Sequence, residues 1–273
     1  MDHQETAAEV GRLLAKMRAA HPLVQNITNF VAMDIAANVL LAAGAAPAMV
    51  HAPEESPEFV RLAAALVVNT GTLSRTQAES MEVATIAARS HGTPWVLDPV
   101  GAGATRFRDE TVQKLLRHRP MVIRGNASEI MAVARGAGLT LETARPRGVD
   151  SANTTDEAEA LARLLARHCF CIVAATGAVD VVTDGKRMIR LANGSPLMTR
   201  VTALGCALSA LVGAFVGLGE DPFIATVAAL AIYGVAGEIA AETARGPGSF
   251  RVEFIDCLDR IGPDDVKARL KLA

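Results

Sequence analysis

The chain has 273 residues and a formal charge of −2; 51% of it is apolar, yet aromatics make up only 4%. With no basic stripe and few rings for bases to stack on, it is not built to take nucleic acid as its main partner. Its length and apolar content suit one doubly wound α/β domain over residues 1–273. Four cysteines without a CxxC pair (Cys169, Cys171, Cys206, Cys257) and a polar, acidic N-terminus point to a reduced cytoplasm.

Val10, Leu13, Leu14 and Met17 recur at helical spacing, which predicts an opening amphipathic helix. After Pro22 a short strand runs into the polar cluster Asn26-Ile27-Thr28-Asn29, and a helix then extends to Ala43, stopped by Gly44. Apolar runs at 46–50, 65–69, 94–98 and 121–124 alternate with helical stretches. Being apolar on both faces, they read as strands covered on each side, in a mainly parallel sheet with right-handed crossovers. Ser56-Pro57 reads as an N-cap followed by proline at the first helical position. The Gly-, Thr- and Arg-rich segment 136–155 is expected to be a surface excursion. A helix over about 155–168 and a buried strand over 169–175 follow, with Cys169 and Cys171 on one face of the strand. Asp184-Gly185 between apolar runs marks a β-hairpin, whose place on a parallel sheet is an edge. Ala-rich helices begin at about Cys206. The apolar stretches 206–218 and 223–237 fall short of the roughly 18–20 residues that span a bilayer, so they read as buried helices and no membrane partner is expected.

In open α/β sheets, ligands gather at the carboxyl ends of the strands. Here those ends carry Asn26 and Asn29, Met49 and His51, Asn69-Thr70-Gly71, Asp98, Arg124, Asn126, Glu129 and Thr176-Gly177. The motifs GxxxxGK[ST], HExxH and GxSxG are absent. Ala203-Leu204-Gly205-Cys206 opens a long apolar helix whose free backbone N–H groups make an anion site, at an end where the dipole favours thiolate at Cys206. Cys206 is either part of a phosphoryl-transfer site or a packed core residue. Asp98 and Glu129 are the Mg2+ candidates. Each has a structural alternative: Asp98 caps the loop before Pro99, and Asn126-Ala127-Ser128-Glu129 forms a capping box. Arg124 clamps a phosphate or joins a surface salt bridge.

At these residues a family resemblance emerges. HPLVQNITNFV, LAAGAAPAM, VVNTGTL, WVLDPVGAGATRFR, VIRGNASEI, ATGAVDVVTDG, NGSPLM, VTALGCALSA and GPGSF resemble, in order, the blocks of the hydroxyethylthiazole kinases, from residue 21 to 250. The resemblance implies a ribokinase-like fold and ATP-dependent phosphorylation of hydroxyethylthiazole in thiamine biosynthesis or salvage. It also implies a homotrimer with pockets at the subunit interfaces. By the same resemblance, Asp98 and Glu129 position Mg2+, while Arg124 and Thr176 bind ATP. Asn26, Asn29, Met49, Gly71 and Gly205 form the thiazole pocket, with Met49 reaching across the interface, and Cys206 takes the place of a catalytic base. Two positions depart from the family pattern. Ala203-Leu204 stands where Gly-Thr or Gly-Ala is expected, and Ser195 where His is expected. The loop keeps its amides, but Leu204 is bulkier and Ala203 resists the positive φ that glycine tolerates. A kinase of another small alcohol, such as a hydroxymethylpyrimidine, and a non-catalytic binding protein are the alternatives.

Overall fold

The computed structural model describes residues 2–141 and 151–273. Helix α1 (His3–Ala20) forms as its spacing predicts: Val10, Leu13, Leu14 and Met17 are buried, and Asp2 and Glu5 close a reciprocal capping box. Strand β1 (Leu23–Ile27), helix α2 (Met33–Ala43) and strand β2 (Ala46–Ala48) follow, with Gly44 ending α2 in the left-handed region at φ 102°. A single turn, α3 (Ser56–Phe59), leads to β3 (Ala65–Asn69), α4 (Arg75–His91), β4 (Trp95–Asp98), α5 (Arg106–Leu116), β5 (Val122–Asn126) and α6 (Ala127–Gly136). Then come α7 (Ser151–Cys169), β6 (Ile172–Thr176), β7 (Asp180–Thr183) and β8 (Met188–Leu191). Helices α8 (Leu204–Val216), α9 (Pro222–Thr243), α10 (Pro247–Arg260) and α11 (Pro263–Arg269) complete the described chain.

The strands form one sheet in the order β2-β1-β3-β4-β5-β6-β7-β8. Pairings from β2 to β6 are parallel, and β7–β8 add antiparallel as the hairpin expected at an edge. Successive strand residues serve opposite faces. Leu66, Val68, Trp95 and Leu97 pack with α4–α7, whereas Val67, Val96 and Val122 pack with α1, α2 and α8–α10. The strands are therefore apolar throughout because helices cover both sides.

Four expectations need correction. Ser56 is the first helical residue of α3, after an N-cap at Glu55 that makes no side-chain bond; its hydroxyl is buried against Ser80 Oγ at 3.1 Å, so packing on α4 outweighs capping. Cys169 belongs to α7, not to a strand. Phe170 turns left-handed (φ 53°) and the Cys171 N–H returns to Ala166 O at 3.1 Å, a helix-closing turn that leaves Phe170 exposed and delays the strand to Ile172. The second helix after Cys206 is also longer than expected. At 22 residues α9 meets the length and hydropathy of a membrane span, but 89% of its most apolar window is buried, among α1, α8 and α10. Lastly, α7 starts at Ser151 instead of near 155, and residues 142–150 of the expected excursion lie outside the described residues.

Candidate active site

The parallel register lines up one polar residue per strand at the carboxyl edge. Asn69 pairs with Asp98, and Asn126 with Thr176. Counting two residues on from Val24, Val67, Val96 and Val122, strand alternation sends Asn26, Asn69, Asp98 and Arg124 to the face that α8 covers. The first turn of α8 lies across this edge. Its first N–H with an acceptor is that of Ala207, bonded to Ala203 O at 3.0 Å, so the N–H groups of Leu204, Gly205 and Cys206 have no partner among the described residues. Ala203 caps the helix at φ 62° and ψ 10° with no side-chain bond, a conformation that costs a non-glycine residue about 1–2 kcal/mol. Leu204 turns into the core and its carbonyl accepts the Tyr233 hydroxyl at 2.7 Å. The loop is therefore not plugged: a cavity of about 640 Å³ lies alongside, lined by Arg124, Thr176, Asp180, Leu204 and Gly205 among others.

Arg124 is buried beneath this turn. It donates Nη1 to Gly205 O at 2.9 Å and Nη2 to Thr176 Oγ1 at 2.6 Å, while Nε has no partner. The surface salt bridge is thereby excluded, and a permanent cation is joined to the two residues expected to bind the nucleotide and substrate. Asp180, in the same cavity, accepts the Gly177 N–H at 2.9 Å; burial pushes its carboxyl up to about 6, although Gly177 and Arg124 pull the other way.

On the other side of Cys206 lies a second network, with Asn69 at its centre. Asn69 is fully buried; its Nδ2 donates to Asp98 Oδ2 at 2.6 Å, and its Oδ1 accepts from Asn29 Nδ2 and the Gly71 N–H, both at 2.9 Å. Asn29 Nδ2 also donates to Cys206 Sγ at 3.3 Å, and its Oδ1 accepts the N–H groups of Val31 and Ala32 at the start of α2. Because a carboxylate only accepts, Asp98 fixes the orientation of Asn69, and Asn69 fixes that of Asn29. Gly71 is required here by space: a Cβ would stand 2.5 Å from Asn29 Cβ. Arg108 of α5 ties the carbonyls of Thr70, Gly71 and Val100 together. The strand-end pattern had picked out Asn69 only among many polar residues, and nothing local in the sequence marks Arg108.

Electrostatics overturn one expectation. Burial, and then the Asp98 charge, push the Cys206 thiol up to about 11, against the pull of Asn69, Asn29 and Arg124. Desolvation and a nearby carboxylate outweigh the helix end, so Cys206 is a neutral thiol at neutral pH. Asp98 is itself pushed up to about 6, chiefly by burial, with Arg124, Ser209 and Asn69 pulling down and Glu129 pushing up. The Ser209 hydroxyl approaches from α8 without reaching hydrogen-bond geometry, leaving both Ser209 Oγ and Asp98 Oδ1 unpartnered.

The capping box at Asn126 is real. Asn126 Oδ1 accepts the Glu129 N–H at 2.9 Å and Glu129 Oε2 accepts the Asn126 N–H at 2.9 Å, while Oε1 accepts the Gly101 N–H at 3.0 Å. No group of three metal-binding side chains occurs among the described residues. A hard cation bound mainly by phosphate and water needs only one or two carboxylates, however. The buried, unpartnered Asp98 Oδ1 fits direct ligation; Glu129, with each oxygen already engaged, fits through water. Two expected pocket residues stay outside both networks. Asn26 donates back to Val24 O at 2.9 Å and its Oδ1 is unpartnered, and Met49 is a half-buried residue beyond β2 packed against the core.

Comparisons with known proteins point the same way. The hydroxyethylthiazole kinase family model matches residues 14–264. A hydroxyethylthiazole kinase of Cereibacter sphaeroides is 57% identical over 265 residues, covering 96% of this chain and 98% of its own. The solved structure of a hydroxyethylthiazole kinase protein from Pyrococcus horikoshii superposes with a TM-score of 0.89 at 43% identity, over 97% of this chain and 98% of that one. A ribokinase-like superfamily protein from Enterococcus faecalis, 10% identical with a TM-score of 0.61 over 90% of this chain and 89% of its own, shares the fold alone.

Proposed function

The chain belongs to the hydroxyethylthiazole kinase family, and from that premise we propose how its residues phosphorylate the primary hydroxyl of 4-methyl-5-(2-hydroxyethyl)thiazole, with ATP as donor. The observation that carries the reading is the first turn of α8. Three unpaired N–H groups there lie between the Arg124–Thr176 pair and the Asn29–Cys206 network.

In this reading the cavity beside Arg124 and Thr176 takes the nucleotide, with its phosphates toward α8. The amides of Leu204, Gly205 and Cys206 hold the transferred phosphoryl group as the hydroxyl attacks in line; losing one such donor typically costs roughly 2.7–4 kcal/mol of barrier. Asp98 would hold Mg2+ directly and Glu129 would hold it through water, and the bound ion would supply positive charge at the phosphates. Asn29, Gly71 and Gly205 place the neutral thiazole so that its hydroxyl meets Cys206; Asn26, wholly buried and bonded to its own strand, supports the strand end beneath them, and Met49 reaches across the trimer interface to complete the mostly apolar pocket of a neighbouring subunit. A thiol pushed up to about 11 is ionised about once in 10⁴ at pH 7, so Cys206 orients the hydroxyl as a neutral thiol, and the hydroxyl proton leaves late, to an oxygen of the transferred phosphoryl group. A loose transition state asks little of a base before then.

We also propose one kinase domain over residues 1–273, acting as a homotrimer in the cytoplasm. Phe30 and Val31, which follow Asn29 just before α2, and Leu41 towards the other end of α2 are exposed in the single chain and support an interface along this helix, beginning beside the thiazole pocket. The test is a coupled ADP-release assay on the purified protein. Thiazole should stimulate ADP release far more than a hydroxymethylpyrimidine does. Thiazole binding without ADP release would instead identify a non-catalytic binding protein.

A further inference from the structure

The cavity beside Arg124 has a far wall, residues 192–196 with Met198, that belongs to neither the sheet nor a long helix. Its hydrogen bonds explain how it stays in place. Asn193 is buried, and both ends of its amide are used internally: Nδ2 donates to Glu238 Oε1 at 3.1 Å and to Arg269 O at 2.7 Å, and Oδ1 accepts the Lys271 N–H at 2.7 Å. The same Glu238 oxygen accepts the Gly194 N–H at 3.1 Å and Lys271 Nζ at 2.9 Å. One carboxylate oxygen on α9 thus gathers three donors, two of them from the wall. One turn earlier on α9, Gly234 lets the wall lie directly on the helix backbone, since a Cβ there would stand 2.8 Å from Asn193 Cβ and 2.9 Å from Asn193 O.

With both hydrogens and the oxygen of its amide engaged internally, the Asn193 side chain is tied to the protein and not offered to a bound molecule. We propose that Glu238 and Asn193 are positioning residues for the nucleotide, pinning the 192–196 wall against α9 and so fixing the depth of the cavity. The inference rests on reading that cavity as the nucleotide site. Without Glu238 the Gly194 N–H loses its acceptor and Asn193 keeps only its partners in the 269–271 segment, so the wall relaxes. Of the residues on the thiazole side only Gly205 lines this cavity, and Asn29, Asn69 and Cys206 share no hydrogen bond with the wall.

The experiment is steady-state kinetics on the whole protein, with KM for ATP and for the thiazole measured separately beside the melting temperature. Glu238→Ala should raise KM for ATP about tenfold, equivalent to about 1.4 kcal/mol, and leave KM for the thiazole within about twofold. Glu238→Gln keeps an oxygen acceptor for the wall and should fall between wild type and Glu238→Ala; it also carries the test if Glu238→Ala does not fold. Equal changes in both KM values, or an unchanged KM for ATP in both variants, would overturn the proposal. Thr199→Trp, which fills the cavity from an exposed position, separates the two layers of the argument. If it raises KM for ATP while the Glu238 variants do not, positioning alone is refuted. If it leaves KM for ATP unchanged, the nucleotide reading of the cavity fails and the proposal falls with it.

Discussion

Asp98→Asn should make the protein more stable and less active, and the gain in stability should grow with pH. Asp98 is 1% exposed and its carboxyl is pushed from an ordinary 3.8 up to about 6, principally by burial. A raised carboxyl pKa means that the folded state holds its proton more tightly than the unfolded state does. The associated stability is therefore fully present below pH 3.8 and is lost as pH rises through 6. At about 1.4 kcal/mol per pH unit, the full loss at pH 8 is about 3 kcal/mol, a figure that already includes the attraction of Arg124. The substitution is isosteric. The new amide keeps an oxygen for Asn69 and brings an N–H toward Ser209 Oγ, which now lacks a partner. Urea denaturation of both proteins, without nucleotide or divalent cation, should show the variant ahead at pH 8, with the gap narrowing by about 1.4 kcal/mol at pH 5. Asp180 titrates in the same range but is common to both proteins and cancels. A gap independent of pH, or a variant less stable than wild type at pH 8, would refute the electrostatic argument. Turnover of the variant should fall, because the buried charge is retained for function at the expense of stability.

Other substitutions probe the remaining roles. Glu129→Ala frees the N–H groups of Gly101 and Asn126, so the melting curve should show a loss of about 1–2 kcal/mol, together with a weaker response to Mg2+. A lower melting temperature with an unchanged Mg2+ response would leave Glu129 as a helix cap only. Gly71→Ala puts a methyl group 2.5 Å from Asn29 Cβ; displacing Asn29 should raise KM for the thiazole at least about tenfold while KM for ATP stays put. Cys206→Ala should lower turnover by less than the roughly 10²–10⁴ owed to a strong general base. Cys206→Asp should stay active, and a folded Cys206→Asp protein with no phosphorylation would count against contact with the substrate hydroxyl at this position. Alkylation of Cys206 should keep accelerating above pH 9, since its thiol is pushed up to about 11; a plateau below pH 9 would contradict that burial effect.

Signals that act over a few residues were legible in the sequence. The opening helix, the stop at Gly44, the Asn126–Glu129 capping box and the Asp184-Gly185 hairpin each depend on chemistry within about one turn of chain, and each is present. The mainly parallel sheet was legible too, because strands covered on both faces must be apolar throughout. Local rules misled where a distant partner intervened. Ser56 gave up capping for a hydrogen bond to Ser80, and α9 has the composition of a membrane span because other helices surround it.

The sequence by itself determined the order of elements, the edge of the sheet that carries the polar residues, and the family. Only the tertiary structure decided how those residues act together. Asn29 meets Cys206 across 177 residues of chain, Arg124 meets Gly205 across 81, and Asn69 stands between Asp98 and Asn29. Charge state follows the same division. The helix end pulls Cys206 toward thiolate, but burial and the carboxylate of another strand push harder, and both arise only when the sheet and α8 close on one another.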